Sequence, residues 1–211
     1  MNRPRGPYAK TARRREEILQ AALEAYAESD AAGPTIKDIA RRAGLSEAGV
    51  LHHFGGREEL LTAVVAERDE VDARAYADHF APLVQHNMQT PGLVRLFTRI
   101  AAASVESDHP ANEFFAARYA RLRDEIGATG PGGGDDEDAW RARVMLAVVD
   151  GLQLQWLHDP SIDMAGDAVR LAEALGLALD EEAPADGTDE PDQTPGSAGP
   201  VSGGSPAAPG S

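Results

Sequence analysis

The residues with the clearest chemical potential lie in the segment GLSEAGVLHHF, residues 44–54. Its two adjacent histidines could bind a metal, but neighbouring residues of a helix point about 100° apart and cannot chelate one ion from the same face. The chain has no cysteine, and no acidic pair near the histidines completes a site. Asp150 with His158 lacks a nucleophile to activate. We therefore expect no metal site, no cofactor and no enzymatic activity.

The segment stands at the junction of two short predicted helices. Thr35 with Asp38 three residues later is a variant of the capping box, and Ser46 is a suitable cap for the next helix. Gly44 lies between them, where a turn needs a permissive backbone. Helices this short are unstable alone. Two of them joined by a tight turn form a helix-turn-helix, whose second helix can enter the major groove of DNA.

Periodicity separates the two faces of that second helix. Val50 and Phe54 point inward, and Ala40 is small where the two helices cross. The outward face is predicted to consist of Glu47, Ala48, Gly49, His52 and His53. Small or polar side chains allow a close approach to base edges, and the free amides at Ser46 favour a phosphate.

The charge distribution is consistent with a nucleic-acid partner for one end of the chain. The net charge is −15, yet residues 1–57 carry +3 and the remainder −18. The first fifteen residues contain six basic residues and no acidic one. Such asymmetry is expected where one end meets a polyanion, although a basic solvated tail would have the same pattern.

The whole chain reads as all-α, because alternating strand patterns are missing and helix caps are frequent. Helices are predicted at about 11–29, 35–44, 46–54, 57 to the upper seventies, after Pro91, after Pro110, 137–158 and 164–179. The segment after residue 182 is rich in proline and glycine and lacks aromatic residues, which is typical of disorder. No apolar run is long enough to span a bilayer, and the N-terminus lacks the apolar core of a secretory signal.

The segment TIKDIARRAGLSEAGVLHHFGGREELLTAVV, residues 35–65, resembles the DNA-binding domain of the TetR family of bacterial transcriptional regulators, and RREEILQAALEAYAE, 14–28, is similar to its first helix. The matching positions are Thr35, Ile39, Ala40, Ala43, Gly44, Ser46, His53, Phe54, Arg57 and Leu60. The resemblance implies a helix-turn-helix domain over 11–56 behind a basic arm, 1–10. It also implies a helical ligand-binding and dimerisation domain over 57–180, followed by a disordered tail, 181–211.

The sequence also departs from the family pattern. Leu51 stands where the family usually places a tyrosine that contacts a phosphate, and Glu47 puts a negative charge toward DNA, where it could accept from cytosine N4. We therefore expect the phosphate contacts to depend more on the basic arm and on Thr35, Lys37, Arg41 and Arg57.

For the C-terminal domain, the resemblance implies an effector cavity and a two-helix dimer seam. The candidate cavity residues are Phe97, Ile100, Phe115, Tyr119, Met145, Val149 and Gln153. The candidate dimer residues are Val148, Leu152, Trp156, Leu171 and Leu175. Burial of these apolar residues within one subunit is the alternative.

The resulting expectation is a cytoplasmic, homodimeric regulator, most often a repressor, that binds a palindromic double-stranded operator and is released by an unidentified small molecule. No membrane partner is expected. One alternative is a small-molecule-binding or interaction protein of the same fold that has lost operator binding. A helical enzyme is the other, and no nucleophile-base arrangement in the sequence supports it.

Overall fold

The computed structural model describes residues 7–29, 33–76, 79–132 and 134–178, and their regular structure is α-helical, which confirms the predicted fold class. The helices are α1 (Pro7–Ala27), α2 (Ile36–Arg42), α3 (Glu47–Phe54), α4 (Arg57–Ala75), α5 (Phe80–Met88), α6 (Pro91–Ala103), α7 (Asn112–Ala128), α8 (Asp135–His158) and α9 (Met164–Leu175).

Side-chain caps fix the start of both helices in the helix-turn-helix. The Thr35 hydroxyl accepts a hydrogen bond from the Asp38 amide at 3.2 Å, and the Asp38 carboxylate accepts one from the Thr35 amide at 3.0 Å. Ser46 Oγ accepts one from the Gly49 amide at 3.1 Å. Gly44 has φ = 67°, in the left-handed region that the turn requires. The predicted capping box, second cap and turn are therefore confirmed.

Helices α2 and α3 both pack against α1. Its buried stripe includes Ile18, Ala22 and Tyr26, and it shares one hydrophobic cluster with Ile39 of α2 and Val50 of α3. This burial gives two helices of seven and eight residues the tertiary support that they cannot generate alone.

Gly92 allows α6 to approach the end of α1 closely. A Cβ at this buried position would lie 2.3 Å from the Tyr26 carbonyl oxygen, far inside contact distance. Any larger residue would push α6 away from α1, so this contact between the helix-turn-helix and the remainder of the chain depends on glycine.

The interior divides into two hydrophobic clusters, and α6 contributes to both. The first cluster contains side chains of the first four helices, α1 through α4, and of α6 and α7, such as Leu60, Ile100 and Phe115. The second joins α5, α8 and α9 with Val94 of α6. The first cluster therefore crosses the predicted domain boundary at residues 56 and 57.

Three helices differ clearly from the sequence-based boundaries. Helix α9 was predicted over 164–179 and ends at Leu175. Helix α1 begins at Pro7, four residues before the predicted start at Thr11. Helix α5 was not predicted, and it contains Pro82. Pro82 is the third residue of α5, where a backbone N–H has no helical partner in any case, so proline is tolerated there.

Within the described ranges no helix is both long and apolar enough to cross a membrane. The predicted disordered tail, 181–211, and most of the basic arm, residues 1–6, lie outside the residues that the structure describes.

Candidate functional site

The face of α3 that the sequence predicts to be outward does reach solvent. Glu47, Ala48 and His52 are exposed, and Gly49 and His53 are partly exposed. On the opposite side, Val50 and Phe54 are buried in the first hydrophobic cluster. The helix therefore presents a nearly flat surface of small and polar groups, of the kind that fits into a major groove.

The N-terminus of α3 adds an electropositive end to this face. Ser46 Oγ accepts the Gly49 amide, and the Ser46 carbonyl accepts the Val50 amide at 3.0 Å. The amides of Glu47 and Ala48 precede these bonds in the first turn, where helical N–H groups have no intrahelical acceptor. With the helix dipole, they form a site suited to a phosphate.

Three predicted cations flank the face, and all of them are exposed. Lys37 lies near the start of α2. Arg41 pairs with Asp38 at 2.7 Å, and Arg57 pairs with Glu58 at 3.5 Å. Surface ion pairs of this kind contribute little free energy. Both arginines can therefore exchange their present partners for phosphates.

Thr35 has a different role from the cations. Its hydroxyl donates to the Asp38 carboxylate at 2.6 Å while it accepts the Asp38 amide. The hydrogen bonds that the Thr35 hydroxyl and the Thr35 amide donate to this carboxylate lower the pKa of Asp38, because they stabilise its charged form. In this arrangement the Thr35 hydroxyl proton serves the cap of α2, so its contribution to a DNA contact is to hold α2 in place.

Arg15 is a supporting residue that sequence reasoning missed. The sequence grouped it with Arg13 and Arg14 as basic surface charge, and those two do pair with Glu17 on the surface of α1. The Arg15 guanidinium instead donates to the His53 carbonyl and lies 4.1 Å from the centroid of the Phe54 ring. The available signal was its position three residues before buried Ile18, on the same face of α1.

The two histidines do not form a metal site with their neighbours. Their rings meet edge to face with centroids 6.1 Å apart. Among the residues that the structure describes, no group of three or more histidine, aspartate or glutamate side chains could hold a metal ion.

The predicted effector residues are distributed over two cavities. The first cavity, of about 440 Å³, lies among α6, α7 and α8, and its lining includes Phe97, Phe115, Tyr119 and Gln153. The second, of about 530 Å³, lies among α5, α7 and α8, next to Tyr76 at the end of α4, and Met145, Val149 and Gln153 line it. Ile100 is buried in the first hydrophobic cluster and lines neither cavity.

Two polar residues mark the first cavity. Tyr119 donates its hydroxyl proton to Asp150 Oδ2 at 2.6 Å. Burial raises the pKa of Asp150, against the lowering effect of that hydrogen bond and of Arg118. Gln153 Oε1 is buried and accepts no hydrogen bond. Asp150 was not predicted as a cavity residue, because nothing in its sequence neighbourhood indicates what faces it.

Helix α4 is attached to the C-terminal helices by partly buried ion pairs. Asp69 accepts from Arg118 at 2.7 Å and from Arg121 at 2.8 Å, both on α7. Arg68 pairs with Asp72 at 2.5 Å and donates to Asn87 of α5 at 3.0 Å. Arg118 and Asn87 also line the second cavity, so that cavity shares side chains with the attachments of α4.

The predicted dimer seam needs a correction. Leu152 and Trp156 are only 9% and 5% exposed and pack in the second hydrophobic cluster, and Leu171 and Leu175 pack partly against it. These residues belong to the subunit interior, the alternative that the sequence left open. Val148 does reach the surface, on another stripe of α8 together with Trp140 and Leu154, which are 36%, 47% and 49% exposed respectively.

Comparison with known proteins agrees with the helix-turn-helix. Residues 18–64 match the model of the family described as bacterial regulatory proteins, tetR family. The chain is 41% identical over 54 residues to the HTH-type transcriptional regulator SrpR of Pseudomonas putida, a match that covers 26% of this chain and 25% of SrpR. The match therefore spans only about a quarter of the length of that relative.

Two further similarities extend over most of the chain. An HTH-type transcriptional repressor of Mycobacterium tuberculosis is 26% identical over 164 residues, covering 74% of this chain and 82% of the repressor. The crystal structure of a TetR transcriptional regulator from a Rhodococcus species superposes with a TM-score of 0.57 at 21% identity, covering 77% of this chain and 96% of that one. At this identity the superposition establishes the fold alone.

Proposed function

We propose that the chain is a regulator of the TetR family of bacterial regulatory proteins rather than an enzyme, and that it binds a palindromic operator as a homodimer and is released by a small molecule. Repression is the mode that we propose, since the relative from M. tuberculosis is named a repressor. The promoter-bound dimer would obstruct RNA polymerase.

The observation that supports this proposal best is the exposed face of α3 beside its capped N-terminus. Two such helices related by twofold symmetry enter successive major grooves about 34–36 Å apart. Lys37, Arg41 and Arg57 then contact phosphates, while Glu47 and His52 face base edges, where a glutamate can accept from cytosine N4.

A homodimer is required because one helix of eight residues reads only half of such a site. We assign the dimer surface to the exposed stripe of α8, which comprises Trp140, Val144, Ala147, Val148, Gly151 and Leu154. The positions 140, 144, 147, 151 and 154 repeat every three and four residues, the spacing of a helix that packs along another helix.

We assign residues 11–56 to DNA binding and residues 57–180 to ligand binding and dimerisation. The predicted basic arm, 1–10, and the predicted tail, 181–211, lie largely or wholly outside the residues that the structure describes. Helix α4 connects the two assigned parts, since its buried Leu60 and Leu61 pack with the helix-turn-helix while Arg68 and Asp69 bind α5 and α7. An effector that moves α7 or α8 therefore displaces α4, and such coupling is typically worth about 1–3 kcal/mol, or roughly 5–150-fold in operator affinity.

The proposal is tested by the salt dependence of DNA binding. An operator selected from random duplexes is titrated with the full-length protein by fluorescence anisotropy at several salt concentrations. If three cations per subunit each contact one phosphate, the slope of log affinity against log salt is about −5, and Lys37→Ala reduces it by roughly 2 units for the dimer. Arg170→Ala, at an exposed site on α9, is the control and leaves the slope unchanged.

The alternative is a protein of this fold that no longer binds an operator. The exposed negative charge of Glu47 at the N-terminus of α3 and the partly buried Leu51 in place of a phosphate-binding tyrosine favour it. No enriched sequence in the selection, or an affinity that does not change with salt, would support this alternative and contradict the proposal.

A further inference from the structure

The first cavity has an apolar, largely aromatic wall. Phe97, Phe115 and Tyr119 contribute three rings, whose neighbouring centroids lie 5.3 and 6.0 Å apart, and alanine and valine side chains complete the wall. A volume of about 440 Å³ is within the usual range for small-molecule sites. The cavity is therefore large enough for a ring system.

Two acceptors in this wall, Asp150 and Gln153 Oε1, have hydrogen-bonding capacity that the protein does not use. The Asn112 amide also lines the cavity and donates one N–H to the Ser104 carbonyl at 2.8 Å. Asp150 is the one carboxylate among the described residues that line the cavity, and its Oδ2 accepts a single proton from Tyr119. Gln153 Oε1 is buried without a hydrogen-bond partner. An unpaired buried acceptor is costly, so a ligand that donates to it recovers a hydrogen bond that the protein alone does not make.

The hydroxyl donors of the same wall are already used within the protein. Thr98 donates to the Val94 carbonyl at 3.0 Å, and Ser104 donates to the Ala101 carbonyl at 2.7 Å. The Tyr119 hydroxyl donates to Asp150. A ligand carboxylate or phosphate would thus meet a carboxylate and occupied hydroxyls.

Arg118 lies beside the first cavity but does not line it. Its guanidinium is bound to Asp69 at 2.7 Å, lines the second cavity, and lies 4.8 Å from the centroid of the Phe97 ring. Asp69 also binds Arg121, so the charge of Arg118 is paired in a partly exposed ion-pair network.

Resting on the proposed function, we propose that the effector is an organic cation whose ring system packs in the first cavity against the apolar wall that includes Phe97 and Phe115. Its ammonium group lies against Asp150 and donates to Gln153. The ligand class is thus a protonated amine, which keeps N–H donors, that carries an apolar ring.

The test compares two fluorescent probes of nearly equal shape and opposite charge, 1-pyrenemethylammonium and 1-pyrenecarboxylate. Each is titrated with the full-length protein without DNA, and binding is followed by fluorescence anisotropy. We expect the cation to bind at least about tenfold more tightly than the anion. Asp150→Asn weakens cation binding by about tenfold or more and Gln153→Leu by roughly threefold to tenfold, as expected for a charged and a neutral hydrogen bond.

The matched control is Asp124→Asn, which removes a carboxylate from an exposed position on α7 and leaves both affinities unchanged. Equal binding of the two probes, or a cation affinity that Asp150→Asn does not change, would overturn the proposal. The comparison of the two probes on the wild-type protein tests the ligand class even if Asp150→Asn fails to fold.

A second arm separates this inference from the proposed function. The cationic probe is added to the operator complex, and release of the duplex is measured. Release of the duplex by the cationic probe supports both the ligand class and its role as an effector. Binding of the cation through Asp150 without release would support the ligand class and contradict its role as an effector.

Discussion

Gly49 occupies the middle of the exposed face of α3, one residue before buried Val50. Replacing it with arginine adds a long side chain where the helix must approach base edges. The added positive charge alone would strengthen phosphate binding, so weaker binding reports the steric effect. We expect Gly49→Arg to weaken specific operator binding by about tenfold or more, the scale of a lost base contact.

The measurement is a fluorescence anisotropy titration of the selected operator at constant salt, with Ala117→Arg at an exposed site on α7 as the control. Both variants should retain the helical circular dichroism of the wild type. An unchanged operator affinity of Gly49→Arg would remove this face of α3 from the DNA interface.

Asp150 predicts a pH dependence of stability. Burial raises its pKa in the folded state above the ordinary value of 3.8, so the unfolded chain ionises at lower pH than the folded one. The folded state therefore loses stability as pH rises from 3.8 through the folded pKa. Asparagine lacks this ionisation and keeps an acceptor for Tyr119.

We thus expect the melting temperature of Asp150→Asn, relative to the wild type, to rise between about pH 4 and pH 7. Thermal unfolding followed by circular dichroism at several pH values gives that difference, with Asp124→Asn as the exposed control. A difference that stays constant over this pH range would show that Asp150 titrates alike in the folded and unfolded chain.

At the level of single residues, local interactions could be read from the sequence and distant ones could not. The caps at Thr35 and Ser46 depend on residues three positions away, so the sequence predicts them. The contact of Arg15 with the end of α3 joins residues 38 positions apart. Its neighbours Arg13 and Arg14 have the same side chain and only surface partners, so residue type alone did not distinguish it.

Helix α1 orients α3 through that distant contact. The partly buried Arg15 donates to the carbonyl of His53 and covers the ring of Phe54. Loss of a charged hydrogen bond and a cation–π contact at a partly exposed site should lower the free energy of unfolding of Arg15→Gln by about 1–2 kcal/mol.

Urea unfolding of Arg15→Gln and Arg14→Gln provides the comparison. Arg14 forms an ion pair with Glu17 on the surface of the same helix, and such a pair is worth well under about 1 kcal/mol. Equal losses in the two variants would mean that the contact between α1 and the end of α3 does not contribute to stability.

Whole helices were predicted where their ends carry strong signals, and their packing partners were not. Helix α8 has two apolar stripes, one through Met145, Leu152 and Trp156 and another through Trp140, Val148 and Leu154. Helical periodicity identifies both but does not indicate which one the same chain covers. The buried stripe was therefore mistaken for the dimer seam, and the stripe that remains exposed emerged only from tertiary packing.

At the scale of the whole molecule, the exposed stripe of α8 connects oligomeric state to DNA binding. Its large apolar residues would remain in water in a monomer, whereas two copies packed along α8 bury them. Specific operator binding then requires the dimer, because each subunit supplies one recognition helix and the twofold axis fixes their separation. A variant that cannot dimerise should keep non-specific electrostatic attraction to DNA and lose preference for the operator.

Val148→Glu is the variant that separates these two properties. A charge placed in an apolar helix interface is left unpaired on association, so we expect a monomer by sedimentation velocity at concentrations where the wild type is a dimer. Val71→Glu on α4 is a closely matched control, since Val71 is 39% exposed and Val148 36%. For Val148→Glu we also expect operator affinity to fall to that of random DNA, with the helical circular dichroism unchanged. A Val148→Glu protein that stays dimeric would place the dimer interface on another surface. A monomer that still prefers the operator to random DNA would contradict the proposal that two subunits related by a twofold axis bind it.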